Sequence, residues 1–196
     1  MIAMRRTISH ILASTRVSRI ARTLARRFVR RDDGATIVEF GIVVFPFLAL
    51  LFAIIEVALV FFAAQVLETA VADSARLILT GQAQTLNATT FKNKVCERVY
   101  GLFDCQGGLQ IDVRTYASFP GSITKPVDPV TGLVDTSGFG FQPGAACDIV
   151  VARFVYKWPT FVRTFGLNVS DLADGYRLLM ATAAFRNEPF ASTSCT

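Results

Sequence analysis

The sequence predicts an α+β protein in which a long N-terminal transmembrane helix packs on a small antiparallel β-sheet domain. Three observations carry this. Residues 40–64 form an apolar run with one ionisable residue, Glu56. The preceding segment is strongly basic. The roughly 115 residues after the helix contain three alternating apolar segments, enough for one small domain.

Residues 1–34 hold nine Arg and two Asp, a net charge of +7, whereas residues 35–196 carry eleven basic and thirteen acidic side chains, a net −2. The pI of 9.3 therefore belongs to the leader, and the remainder has no charge signature of a nucleic-acid partner. Apolar residues Ile8, Ile11, Leu12, Val17, Ile20, Leu24 and Phe28 recur at helical spacing among the arginines. The leader is thus either a basic amphipathic helix on an anionic leaflet or a solvated arm that only sets topology. Nine arginines on one side of a span hold that side in the cytoplasm and place the C-terminal domain outside it.

Gly34 is expected to break any helix begun in the leader, with Asp32 or Asp33 capping the next one. The main helix should run from about residue 36 to 80. Twenty-five apolar residues reach roughly 37 Å, more than a hydrocarbon core of about 30 Å, and in lipid the backbone must satisfy itself as a helix. Pro46 removes one backbone hydrogen bond and should kink that helix near residues 43–45. Glu39 stands at the inner edge of the run, where a carboxylate is costly without a cation. Glu56 stands near its outer half, with no cation in the span to pair with it, so it either meets a partner subunit or reaches the outer interface. Beyond Gln65 the helix turns amphipathic. Leu67, Ala70, Val71, Ser74, Leu77 and Ile78 share the face that should lie on the domain, and Gly81 is the expected C-terminal cap.

The expected domain, residues 82–196, opens on a polar loop. Residues 91–102 read as a short helix with Phe91, Val95, Val99 and Leu102 on one stripe. Residues 109–116 alternate Leu109, Ile111 and Val113 with Gln110, Asp112 and Arg114, a half-buried strand. A long loop rich in Pro and Gly follows over 117–146. Residues 147–158 form a second strand with Val150, Ala152, Phe154, Tyr156 and Trp158 on one face, and residues 177–187 a third. Strands in succession, without crossover helices, argue for an antiparallel sheet. Trp158, Tyr156 and Phe161 read either as core or as a binding platform.

All four cysteines (Cys96, Cys105, Cys147 and Cys195) follow the helix, on the side expected to be oxidising. Of three possible connectivities, sequence proximity favours Cys96–Cys105, leaving Cys147–Cys195; free buried thiols are the alternative. The only histidine, His10, lies in the leader, and no metal-ligand spacing or phosphate-cradling glycine motif is present. We therefore expect no enzymatic activity, cofactor, metal or small-molecule substrate. The sequons at Asn87 and Asn168 read as chance.

The stretch Gly34-Ala-Thr-Ile-Val-Glu39-Phe40, followed by Pro46, Ile54-Ile55-Glu56, Gln65, Leu67-Glu68 and Thr80-Gly81-Gln82, resembles the TadE-like proteins of the tight adherence (Tad, or Flp) pilus machinery. More loosely, the ending Phe185-Arg186-Asn187-Glu188-Pro189-Phe190 is similar to the ends of such proteins. The resemblance implies a pilin-like helix and a prepilin-peptidase site between Gly34 and Ala35. The chain would then divide into a cleaved leader (1–34), a transmembrane helix with amphipathic extension (35–81) and an extracytoplasmic domain (82–196). It further implies that Glu39 and Phe40 act in assembly register, Glu39 pairing with the new α-amine of a neighbouring subunit. The implied partners are the peptidase, other pilins and pilus-assembly membrane proteins, and the implied function is pilus biogenesis and adhesion from the bacterial inner membrane. The competing reading is a single-span binding domain that keeps its basic arm; an anchored extracytoplasmic enzyme is a third.

Overall fold

The computed structural model describes residues 32–99, 101–161, 168–190 and 194–195. The leader, with its expected amphipathic helix, lies outside the described residues. The elements are helix α1 (Asp32–Leu79), helix α2 (Ala88–Cys96) and strands β1 (Gln110–Tyr116), β2 (Ile149–Pro159) and β3 (Tyr176–Arg186). The chain divides into two compact units, residues 1–52 and 53–196.

Within the first unit, α1 presents apolar side chains outward on every side: Ile37, Phe40, Val43 and Phe45 are all more than half exposed. The stretch Thr36–Leu79 is long and apolar enough to cross a membrane. Helix α1 already includes Asp32 and Gly34, so Gly34 does not break it. The expectation of a break fails because one glycine costs a helix only about 1 kcal/mol relative to alanine, which the long run of helix-compatible residues after it outweighs. Pro46 lies inside α1, which is assigned without interruption.

In the second unit α1 changes character. Ala53, Glu56, Val60, Ala63, Leu67, Ala70, Ser74 and Ile78 are buried, a seam alternating in steps of three and four like one face of a coiled-coil helix. From Val60 onward this seam joins one apolar core with Phe91, Val95 and Val99 of the α2 region and with Val113, Val150, Ala152, Phe154 and Trp158 of the sheet. The sheet is antiparallel in the order β1-β2-β3, with Ala152 opposite both Val113 and Ala183. Successive residues of β2 point to opposite faces, so Val150, Ala152, Phe154, Tyr156 and Trp158 face the helices.

Strand β2 is cut to the length of the helix it covers. Eleven strand residues span roughly 36 Å, and the 23 steps from position 56 to position 79 of α1 span roughly 35 Å. Contacts hold both ends: the Phe161 amide donates to Glu56 Oε1 at 2.6 Å, and the Glu188 amide donates to the Leu79 carbonyl at 2.9 Å. The helix closes at Gly81, whose φ of +78° suits glycine, and a Cβ there would lie 2.7 Å from the Phe190 ring.

Helix α2 is shorter than the expected 91–102. Asn87, placed by the sequence in a polar loop, caps it by accepting from the Thr90 amide, and it ends at Cys96, whose disulfide to Cys105 turns the chain back. The stripe itself persists through the turns, with Phe91, Val95 and Val99 fully buried.

The opposite face of the sheet is not open. The loop 117–146 covers it, making a second core of Val155, Leu172 and Leu178 with Val127, Val134, Phe139 and Met180. Residues 140–142 run along the β1 edge, exchanging backbone hydrogen bonds with Val113 in both directions. Asp112, expected on the polar face, is consequently buried. It accepts from Arg153 Nη2 at 2.5 Å, Arg114 Nε at 2.9 Å and the Gly140 amide at 3.0 Å. Asp112→Ala strands the half-buried Arg153 guanidinium and should cost about 3–5 kcal/mol. An apolar exchange of both partners, Asp112→Leu with Arg153→Met, should cost markedly less. Thermal unfolding of the detergent-solubilised variants checks the order.

Candidate functional site

Two clusters of sequence-predicted residues fall on α1. The first lies in its opening turns. Gly34 and Ala35 are in the first turn, and Glu39 follows Ala35 by four residues, on the same helical face and about 6 Å further along the axis. The Glu39 side chain is exposed, as is Phe40 at 68%. An exposed carboxylate beside large exposed apolar side chains lacks the surroundings that a soluble surface or a folded core would give it.

The second cluster is at Glu56. Sequence reasoning expected a carboxylate that left the chain, either to a partner or to the outer interface. The structure places it against the chain's own domain instead. Glu56 is 6% exposed and accepts the Phe161 amide at 2.6 Å, two residues beyond the end of β2. Its position in the three-and-four seam made this legible in principle, because 53, 56, 60 and 63 continue the spacing of 67, 70 and 74. A glutamate interrupting the apolar pattern masked it.

The neighbouring side chains fix this end of the sheet. Thr160 is buried and its hydroxyl donates to the Gly175 carbonyl at 2.7 Å. Lys157 donates to Asp174 at 2.6 Å and lies over the Tyr176 ring at 5.0 Å. The hydrogen bond from Lys157 holds the Asp174 carboxyl below the usual carboxylate range, against an opposing effect of burial. Of the expected aromatic group, Tyr156 and Trp158 pack edge-on against Phe103 in the core, whereas Phe161 stands apart at 77% exposure.

The cysteines are joined as Cys96–Cys105 and Cys147–Cys195. The second bond holds the end of the chain beside the segment that closes α1. Sequence reasoning gave Asn187 no role there. It is 2% exposed, its side-chain amide donates to the carbonyls of Pro143 and Ala145, and its backbone amide donates to Asp148. An asparagine following an apolar strand, with a proline two residues on, was the available signal.

Among the described residues no group of three or more His, Cys, Asp or Glu side chains is arranged to hold a metal ion. An open groove of about 380 Å³ runs beside Phe62, Gln65 and Thr69. Among the described residues its one carboxylate, Asp73, faces Arg98 at 3.4 Å, an ion pair and not a pair of acids placed for general acid–base work.

Comparison with known proteins adds one finding. Residues 34–76 match the family model described as TadE-like protein, the family that the sequence resembles. The match opens at Gly34 in the first turn of α1 and closes in its last turn, leaving the sheet outside it. No curated protein and no solved structure matches the chain.

Glu56→Ala should release the chain at Phe161 at a cost of about 1–3 kcal/mol. Glu56→Gln keeps an acceptor oxygen and should cost less than half of that. Hydrogen exchange at the Phe161 amide checks this: protection should fall in the alanine variant and largely survive in the glutamine variant.

Proposed function

We propose that this chain is a minor pilin or pseudopilin-like subunit of the Tad pilus system, acting in pilus biogenesis and surface adhesion through assembly. The observation that carries the reading is the TadE-like match, which spans the apolar helix and starts at the glycine of the proposed cleavage site. The chain enters the inner membrane with its arginine-rich leader in the cytoplasm and its disulfide-bonded domain outside. A prepilin peptidase cuts between Gly34 and Ala35, which makes residues 1–34 a leader, 35–81 the membrane helix and its extension, and 82–196 the extracytoplasmic domain.

The chemistry supports each step. A peptidase needs its substrate locally unwound, and a glycine lowers the cost of opening a helical turn. Cleavage creates an ammonium at Ala35. In an apolar bundle an unpaired Glu39 carboxylate is costly, so pairing with that ammonium on a neighbouring subunit selects one axial register. The exposed apolar faces of residues 36–52 offer the surface on which other pilins and pilus-assembly membrane proteins pack. The protein is the substrate of the peptidase and itself performs no catalysis.

Intact-mass measurement and N-terminal sequencing of membrane-extracted protein should find a mature chain beginning at Ala35. Gly34→Leu should keep the leader attached; normal processing of that variant would refute the site. Glu39→Ala should be processed normally yet reduce surface pili by about tenfold or more, the equivalent of about 1.4 kcal/mol of pairing per subunit. Unchanged piliation by electron microscopy would remove the register role.

A further inference from the structure

We infer that Phe161, two residues past the end of β2, is immersed in the outer face of the lipid bilayer, so that the domain is seated in the membrane surface and does not stand clear of it. The inference rests on the membrane-anchored reading above and adds a second point of lipid contact to the helix.

The two faces of α1 place the domain by counting residues. On the face turned away from the sheet, large apolar side chains stay exposed well past Glu56: Val57, Leu59, Phe61 and Phe62, the last two more than half exposed. Exposed polar side chains begin at Gln65 and continue with Glu68, Thr69 and Asp73. Phe62 is therefore the last large residue of the lipid-facing belt. From Phe40 to Phe62 there are 22 steps, roughly 33 Å of helix, close to the hydrocarbon thickness of about 30 Å. A bilayer ending at Glu56 would leave both phenylalanines in water.

On the sheet side the belt stops earlier, because the domain covers it. Glu56 lies six residues before Phe62, about 9 Å deeper along the axis. The hydrogen bond from the Phe161 amide to Glu56 fixes the backbone at Phe161 to that level. Amphipathic segments that lie in a membrane surface sink to about 5–10 Å, the same depth. The residue at this place suits it: Phe161 is 77% exposed, and the adjacent sheet end carries Tyr176 with Lys157 against its ring. Aromatic rings with a nearby cation are the side chains that settle at the headgroup boundary. The same depth accounts for the bond to Glu56. A carboxylate inside the apolar belt cannot be left without donors, and Phe161 supplies an amide.

Depth-dependent fluorescence quenching tests the inference on the full chain. The protein's single tryptophan, Trp158, is replaced in a Trp158→Phe background, and one probe is added at a time: Phe161→Trp, Phe45→Trp or Val130→Trp. Each variant is reconstituted in phosphatidylethanolamine–phosphatidylglycerol vesicles doped with phosphatidylcholine brominated near the headgroup or near the chain ends. The probe at 161 should emit to the blue of a water-exposed tryptophan and lose most of its emission to the shallow bromines. The probe at 130, on a residue 91% exposed in the loop over the outer sheet face, should emit as in water and stay unquenched. The probe at 45 should be quenched by the deeper bromines. Quenching at 45 with none at 161 would overturn the immersion of Phe161 alone, whereas no quenching at 45 would overturn the membrane reading beneath it. Should the Trp158→Phe background unfold, benzoylphenylalanine at 161 in the otherwise unaltered chain gives the same decision. Photo-crosslinks to acyl chains support the inference, and their absence, with crosslinks obtained at 45, refutes it.

Discussion

One helix has to satisfy two media, and the fold of the domain follows from how it does so. From Phe40 to Phe52 the side chains of α1 are apolar and most of the large ones are exposed, which only lipid or other apolar helices can accommodate. From Ala53 onward one face is claimed by a seam in steps of three and four, while the remaining faces turn polar by Gln65. A sheet of three strands cannot bury its own apolar face. Laid along this seam it gains a partner as long as β2. The helix residues at 60, 63, 67, 70, 71 and 78 supply one wall of the core.

That dependence explains why the polar groups of the domain concentrate where they do. The end of β2 reaches Glu56, the end of β3 leads through Asn187 to Leu79, and loop 117–146 seals the outer face over Asp112 and Arg153. Each is a place where a backbone or charged group would otherwise be stranded at the border of the core. The Cys147–Cys195 bond and the fit of Phe190 over Gly81 act on the same border, holding the chain's end against the end of the helix.

The architecture was legible because its signals were periodic. The apolar run, the alternation around Val113 and Phe154, and the stripe of Phe91, Val95 and Val99 each have one natural reading. The sequence failed where two elements far apart determine one residue. Asp112 looked like a solvated partner in an alternating strand, because nothing local says that a loop some thirty residues on will cover it. Glu56 looked like an intramembrane charge in search of a partner because its donor comes from residue 161. Asn87 was lost in a polar loop although it is an N-cap, and Asn187 was noticed only as part of a resembling terminus. On the proposed reading, Gly34 and Glu39 act through chemistry that happens between molecules, which no contact within one chain announces.

The two ends of α1 are built for opposite demands. At its C-terminal end the helix is closed by Gly81, covered by Phe190 and tied by the Glu188 amide, so fraying there would expose part of the core. At its N-terminal end a glycine occupies the turn that opens at Asp32, and eighteen residues lie between it and Ala53, the first position of the buried seam. On the proposed reading, a cut after Gly34 needs only that turn to open. The seam, both disulfides and the sheet can already be complete when the leader is removed. Folding outside the membrane and processing at it are then independent steps, and neither has to wait for the other. The seam beginning at Ala53 is what separates them.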